Sequence, residues 1–261
     1  MRSLTRLGSD GDYHNQGGIS STMLKDWLTM SPAHWHAMHV ARTLKPKSSD
    51  AFRLGNVAHT LLLEPFEFDE RFVVLPEGHN GSTKAGKAMI KEIKESGREH
   101  VKHGEFIESE AMINAVLDDA TVRRYGLFFG GQAEREFSTI HHTGLLLRCK
   151  PDYLQPGWRL DLKTTRKDTV ADIKWDAIKR GYHISDVFYS NVLRATDIDV
   201  GAMIFVAVTK SQFPEVVAYR LDSDLRAQAE TKIETALCEI AECLDKNEWP
   251  KLSQGIHEFG V

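Results

Sequence analysis

Two acids and a lysine stand close together in the stretch LLLRCKPDYLQPGWRLDLKTT, residues 145–165. Asp152 follows Pro151, and Asp161 is separated from Lys163 by one leucine. Their neighbours are apolar, and charges set among buried residues are costly unless they are paired or bound to a metal. On a strand, Asp161 and Lys163 point to one face and Leu162 to the other. A turn at residues 155–157 folds Asp152 back toward Asp161, and two close carboxylates raise each other's pKa unless a cation lies between them. Oxygen ligands with open positions favour Mg2+ or Mn2+. With an amine alongside to orient and help deprotonate water, such a set is suited to phosphodiester hydrolysis. The plainer alternative is that Asp161 and Lys163 pair with each other on an exposed strand face. A D-x-K triplet alone does not decide between them.

The elements that position these residues can be read from hydrophobic spacing. Residues 1–18 are polar and Gly-rich and predict a loose, flexible N-terminus; residues 19–261 read as a single domain. Within it, residues 19–125 are mainly helical. Two short helices break at Ser31-Pro32 and a third runs up to Pro65. Residues 83–103 predict one exposed helix and residues 105–124 another. From 130 to 221 the texture is that of a sheet: AEREFSTI, GLLLRCKPDYL and WRLDLKTT read as a meander, followed by helical periodicity with a break near Gly181. VGAMIFVAVTK is a central strand and EVVAYRL its neighbour. Residues 222–247 close the domain as an amphipathic helix. The order predicts an α/β fold, a central mixed sheet flanked by helices with a helical N-terminal part.

Composition narrows the class. The chain has 261 residues, 41% hydrophobic and 27% charged, with a formal net charge of -4. That balance suits a globular protein and argues against one that coats nucleic acid by bulk charge, though not against local basic patches. No apolar run of about eighteen residues is present, so no membrane partner is expected. Three scattered cysteines point to a reducing cytoplasm, and they are too few for a disulfide framework or a four-cysteine iron–sulfur cluster. No glycine-rich phosphate loop announces a nucleotide-driven motor.

The pattern P-D, eight residues, D-L-K resembles the PD-(D/E)xK nuclease signature, and GNVAH (Gly55 to His59) resembles the GxxxH helix of its RecB-like branch. ISSTMLKDWLTMSPAHW, STKAGKAM and YHISDVFYSNVL are similar in turn to segments of the phage and prophage recombination exonucleases of the exodeoxyribonuclease VIII (RecE) type. The likeness runs from about Ile19 to the final helix. It implies a restriction-endonuclease-like core, with Asp152 and Asp161 as metal ligands and the carbonyl of Leu162 as a further ligand. Lys163 becomes the water-positioning base, His59 the family histidine, and Glu134, preferred over Glu136, the glutamate of the preceding strand. Arg148, Lys150, Thr164 and Tyr189 become DNA contacts, with Ser185 where the branch has a glutamine. The resemblance further implies Mg2+ (or Mn2+), 5′-to-3′ action on linear double-stranded DNA ends in recombination, a homo-oligomer and a single-strand annealing protein as partner.

Lys84, Lys87, Lys91, Lys94, Arg98 and Lys102 follow helical steps. Lys87 and Lys91 are therefore candidates for DNA-backbone contact, although i,i+4 pairing with Glu92, Glu95 and Glu99 accounts for them equally well. His34, His36 and His39 are not spaced for one helix face, and His141-His142 fall in a turn; both sets read as ordinary surface or packing residues. Two rivals to an exonuclease remain: an endonuclease using the same site, which would nick closed circular DNA, and a non-catalytic DNA-binding module, indifferent to loss of Asp161 or Lys163.

Overall fold

Two serines open the N-terminal helices, because each side-chain hydroxyl accepts a backbone N–H that the first turn leaves unpaired. Ser20 caps α1 (Ser21–Trp27) and Ser31 caps α2 (Pro32–His39), so the expected break at Ser31-Pro32 is present. The computed structural model describes residues 4–6, 17–44, 50–198 and 201–252. Of the N-terminal residues expected to be loose, most lie outside the described ones; Leu4–Arg6 forms a strand, β1, antiparallel to the edge of a later strand whose backbone it pairs.

Helix α3 (Asp50–Leu63) and the turn α4 (Phe68–Arg71) lead into β2 (Phe72–Val74). The basic helix expected over 83–103 stops early. It spans α5 (Lys84–Glu95) and ends at Gly97, whose φ of 79° suits a residue without Cβ, and β3 (Glu99–Val101) then pairs parallel to β2. The next predicted helix is divided into α6 (His103–Asp118) and α7 (Ala120–Tyr125), because the Asp119 carboxylate accepts the Thr121 and Val122 N–H groups and starts a new helix.

The sheet region is also divided. After β4 (Gln132–Ala133), the strands β5 (Glu136–Ile140) and β6 (Leu146–Cys149) join β1 in a three-stranded sheet. β7 (Tyr153–Gln155) and β8 (Trp158–Thr165) belong instead to a five-stranded mixed sheet of order β10-β9-β8-β7-β4. GLLLRCKPDYL is therefore two strands in two sheets. Pro151 has no N–H to continue a ladder, and the chain crosses between sheets there, leaving Asp152 at the junction. Helices α8 (Val170–Lys179) and α9 (Tyr182–Arg194), divided at Gly181 as expected, carry the chain to β9 (Ala202–Thr209), parallel to β8, and β10 (Val216–Tyr219). Helix α10 (Ser223–Lys246) is the last helix among the described residues.

One face of β8 and β9, through Leu160, Leu162, Val206 and Val208, packs on α3 and α6. The other face of β8 carries Arg159, Asp161 and Lys163. A second core joins α1, α9 and α10 to β5 and β6 through Leu24, Phe137, Leu147, Phe188 and Ile233. The predicted α/β architecture is thus present, with the mixed sheet between helices.

Candidate metal and phosphate site

The site lies where β7 stops. β7 pairs with β8 only from Gln155↔Trp158 to Tyr153↔Leu160, whereas β8 continues beside β9 as far as Thr165↔Thr209. Beyond Leu160 the backbone of β8 thus loses its β7 partner, and side chains take over. The Leu162 N–H donates to Asp152 Oδ2 at 2.8 Å, and the Leu162 carbonyl accepts from His59 Nε2 at 2.8 Å. His59 Nδ1 faces the same Asp152 oxygen at 3.5 Å. The histidine arrives from α3, which approaches β8 closely at Gly55: a Cβ there would sit 3.5 Å from Thr164 Oγ1.

Glu134 completes the cluster. Its φ of 53° is left-handed, which a non-glycine residue adopts at some cost, and its N–H donates to the Asp152 carbonyl at 3.0 Å. Donor atoms of His59, Glu134 and Asp152 lie within 4.8 Å of one another. Asp161, only 4% exposed, is ion-paired with Lys163. The pairing foreseen by the plainer alternative is present, but in the interior.

Burial sets the electrostatics of the site. Burial and the Asp152 carboxylate push Glu134 up to about 8, although Lys150 is 2.6 Å away. Burial and Asp152 likewise push Asp161 up to about 6. Buried carboxylates that resist ionisation, together with one imidazole, are the donor set of a hard divalent cation, so these residues fit the Mg2+ or Mn2+ that the resemblance implies. Both raised acids mean that the folded protein holds protons the unfolded chain releases, so chelated protein loses stability as pH rises from about 4 to about 8. The melting temperature followed across that range in chelator should fall, and Mg2+ or Mn2+ should flatten the curve. Parallel curves would count against an ion at these carboxylates.

Two residues escape sequence reasoning. Lys25 of α1 lies across Gly181, its Cδ 3.1 Å from where a Cβ would be, and interacts with both Lys163 and Asp161. Burial, reinforced by Lys163, lowers its amine to about 8. Tyr182, the first residue of α9, has its ring 5.4 Å from Lys163 Nζ and stacks on Phe205. Lys25 sits inside one of the segments that carry the resemblance, but as a single lysine in a short helix it has no local signal. Tyr182 follows the visible break at Gly181, which was its only cue.

Other expected residues are placed differently. Burial opposes the charge on Lys163, but Asp161 and Asp152 outweigh it and raise the amine above its ordinary range. The Leu162 carbonyl engages His59. Arg148 is buried against Gly18, and Lys150 pairs with Glu134. Thr164 faces α3. Tyr189 packs partly into the α9–α10 core, and Ser185 is buried. Lys87 and Lys91 are exposed on α5, where Lys91 pairs with Glu95 at 3.5 Å. His36 packs on Trp249 and His39 on Asp26, the ordinary roles expected.

A mixed sheet in which one acid directly precedes a short strand and an acid and a lysine stand on the next strand defines the PD-(D/E)xK class of fold. Residues 20–258 match the PDDEXK-like domain of unknown function (DUF3799), and the chain belongs to that family. No curated protein matches it. Among solved structures it is similar to a Eubacterium rectale protein described as a candidate exonuclease, with a TM-score of 0.68 and 17% identity over 98% of this chain and 96% of that one. A phage-related exonuclease from Haemophilus somnus aligns at a TM-score of 0.31 and 13% identity, over 73% of this chain and 94% of that one. LHK-Exo, solved with dAMP, aligns at 0.26 and 16%, over 76% and 95%. Among the described residues no helix is long and apolar enough to cross a membrane.

Proposed function

We propose that the protein is a divalent-metal-dependent deoxyribonuclease, acting as a 5′-to-3′ exonuclease on linear double-stranded DNA ends. The observation that carries the reading is the convergence of His59, Glu134, Asp152, Asp161 and Lys163, from α3 and three separate strand regions, at the point where β7 ends. A bound divalent ion would act as a Lewis acid toward the phosphodiester and make water more acidic. Asp152, Asp161, Glu134 and His59 would hold it. Lys163, kept protonated by Asp161, orients a water or neutralises phosphate, and Lys25 supplies a second positive charge from the opposite helix. The Tyr182 ring limits where the Lys163 amine can swing. Exonuclease mode, polarity, a role in recombination, a homo-oligomer and an annealing partner follow from the family resemblance.

End-labelled linear duplex and supercoiled plasmid, each with Mg2+, Mn2+ or chelator, separate the readings. Loss of end label with an intact circle is expected; nicking of the circle identifies an endonuclease. Silence on both substrates with either ion removes the enzyme reading. Lys25→Ala is expected to lower cleavage about 10–100-fold, the loss of one charge-assisted contact to phosphate. Unchanged rates would remove Lys25 from the site.

A further inference from the structure

We propose that His141, His142 and Glu234, with Cys238, form a second metal site, for a borderline transition ion of the Zn2+ class, and that it clips the β5–β6 turn to helix α10. The inference is independent of the nuclease reading, since none of these residues belongs to the candidate catalytic cluster.

The donors come from two rigid pieces. The turn after Ile140 is closed by the His141 N–H donating to the Leu145 carbonyl at 2.8 Å and the Gly144 N–H to the His141 carbonyl at 2.9 Å. Glu234 and Cys238 stand one helical turn apart on the same face of α10. The two pieces share a packed core through Phe137, Leu147, Ile233 and Leu237, so the donors need little rearrangement to meet. His142 Nε2 is 2.5 Å from Glu234 Oε1, and His141 Nε2 is 3.2 Å from Oε2. The three donor atoms fall within 4.8 Å of one another. Cys238 Sγ, 3.7 Å from Glu234 Oε1, lies outside that group of three and would have to rotate toward the histidines to become a fourth donor.

His141 has the arrangement of a ligand rather than of a chance neighbour. Its Nδ1 lies 2.9 Å from Thr143 Oγ1, and an Nδ1–H donated there leaves the Nε2 lone pair facing the cluster. Two imidazoles, one carboxylate and a thiol are softer than the carboxylate-rich set at Asp152, so the chain sorts ions by chemistry: Zn2+ here, Mg2+ or Mn2+ there.

Co2+ serves as the spectroscopic stand-in for Zn2+, added to the full chain with excess Mg2+ to cover the carboxylate-rich cluster. One equivalent should give intense tetrahedral visible bands, and Zn2+ at about 100 times Kd should raise the melting temperature by about 5 °C. The exposed-turn variant His141→Ala/His142→Ala should lose both effects while melting normally in chelator, whereas Glu134→Gln/Asp152→Asn should keep both. Cys238→Ser should remove only the near-ultraviolet thiolate-to-cobalt band; its persistence would strike the thiol from the ligand set. Weak octahedral bands in the unaltered protein, or identical bands in the double-histidine variant, would overturn the site.

Discussion

Lys163→Ala should reduce DNA cleavage by about 1000-fold while leaving the melting temperature in Mg2+ nearly unchanged. The magnitude is that of removing one preorganised charge from a water-poor site. The amine is held in place twice, by the Asp161 carboxylate and by the Tyr182 ring, and its charge is reinforced by Asp152 as well. Removing it also leaves Asp161 buried without its ion-pair partner and takes away a competing cation, so the residual rate should saturate at no higher Mg2+ than in the unaltered protein. Lys163→Arg keeps the charge but not the shape of the amine, and should recover only part of the activity. Single-turnover cleavage of end-labelled duplex across a Mg2+ titration measures both effects. A Lys163→Ala protein cutting at the normal rate would end the catalytic reading of the acid–lysine strand and favour a module that only binds DNA.

Asp186→Ala should cost about 3–5 kcal/mol of stability and lower the melting temperature by about 10 °C. Asp186 of α9 accepts from Arg159 Nη2 at 2.8 Å and also pairs with Arg226 of α10; the Arg159 and Asp186 side chains are each only 1% exposed. Arg159 lies on β8, on the same face as Asp161 and Lys163 and two residues before the first of them. Without Asp186, a buried guanidinium loses its counter-charge on the reactive strand itself, so activity should fall with stability. Arg159→Met combined with Asp186→Leu should recover much of the stability, because apolar replacements of similar volume remove both charges together. Urea denaturation of the three proteins gives the numbers. A cost below about 1 kcal/mol for Asp186→Ala would show that water or another acid already serves Arg159.

The strand bearing Asp161 and Lys163 is legible in the sequence because alternation of apolar and charged residues reports which face is buried. The same holds for β9, whose continuous apolar run matches a strand covered on both sides, and for α9, whose start is marked by Gly181. Alternation is silent about which strands share a sheet, so the crossing at Pro151 was missed, and with it the reason that Asp152 stands free of any ladder. The position of Glu134 before the P-D pair points to it, but its left-handed backbone carries no compositional mark, since glycine or asparagine would be the usual residue there. Lys25 lies more than a hundred residues from Asp161 and Lys163, and only tertiary folding reveals that they meet. The surroundings of Arg148 and Lys150 are equally silent in the sequence: one is buried and the other pairs with Glu134.

The early end of β7 has a further consequence. The amide proton of Leu162 is guarded by a carboxylate rather than by a neighbouring strand. A cation drawing Asp152 Oδ2 toward itself must share that oxygen with the amide or take it away. Occupancy of the pocket is therefore written into the solvent exchange of a single backbone hydrogen, a spectator of the chemistry that no substrate needs to touch.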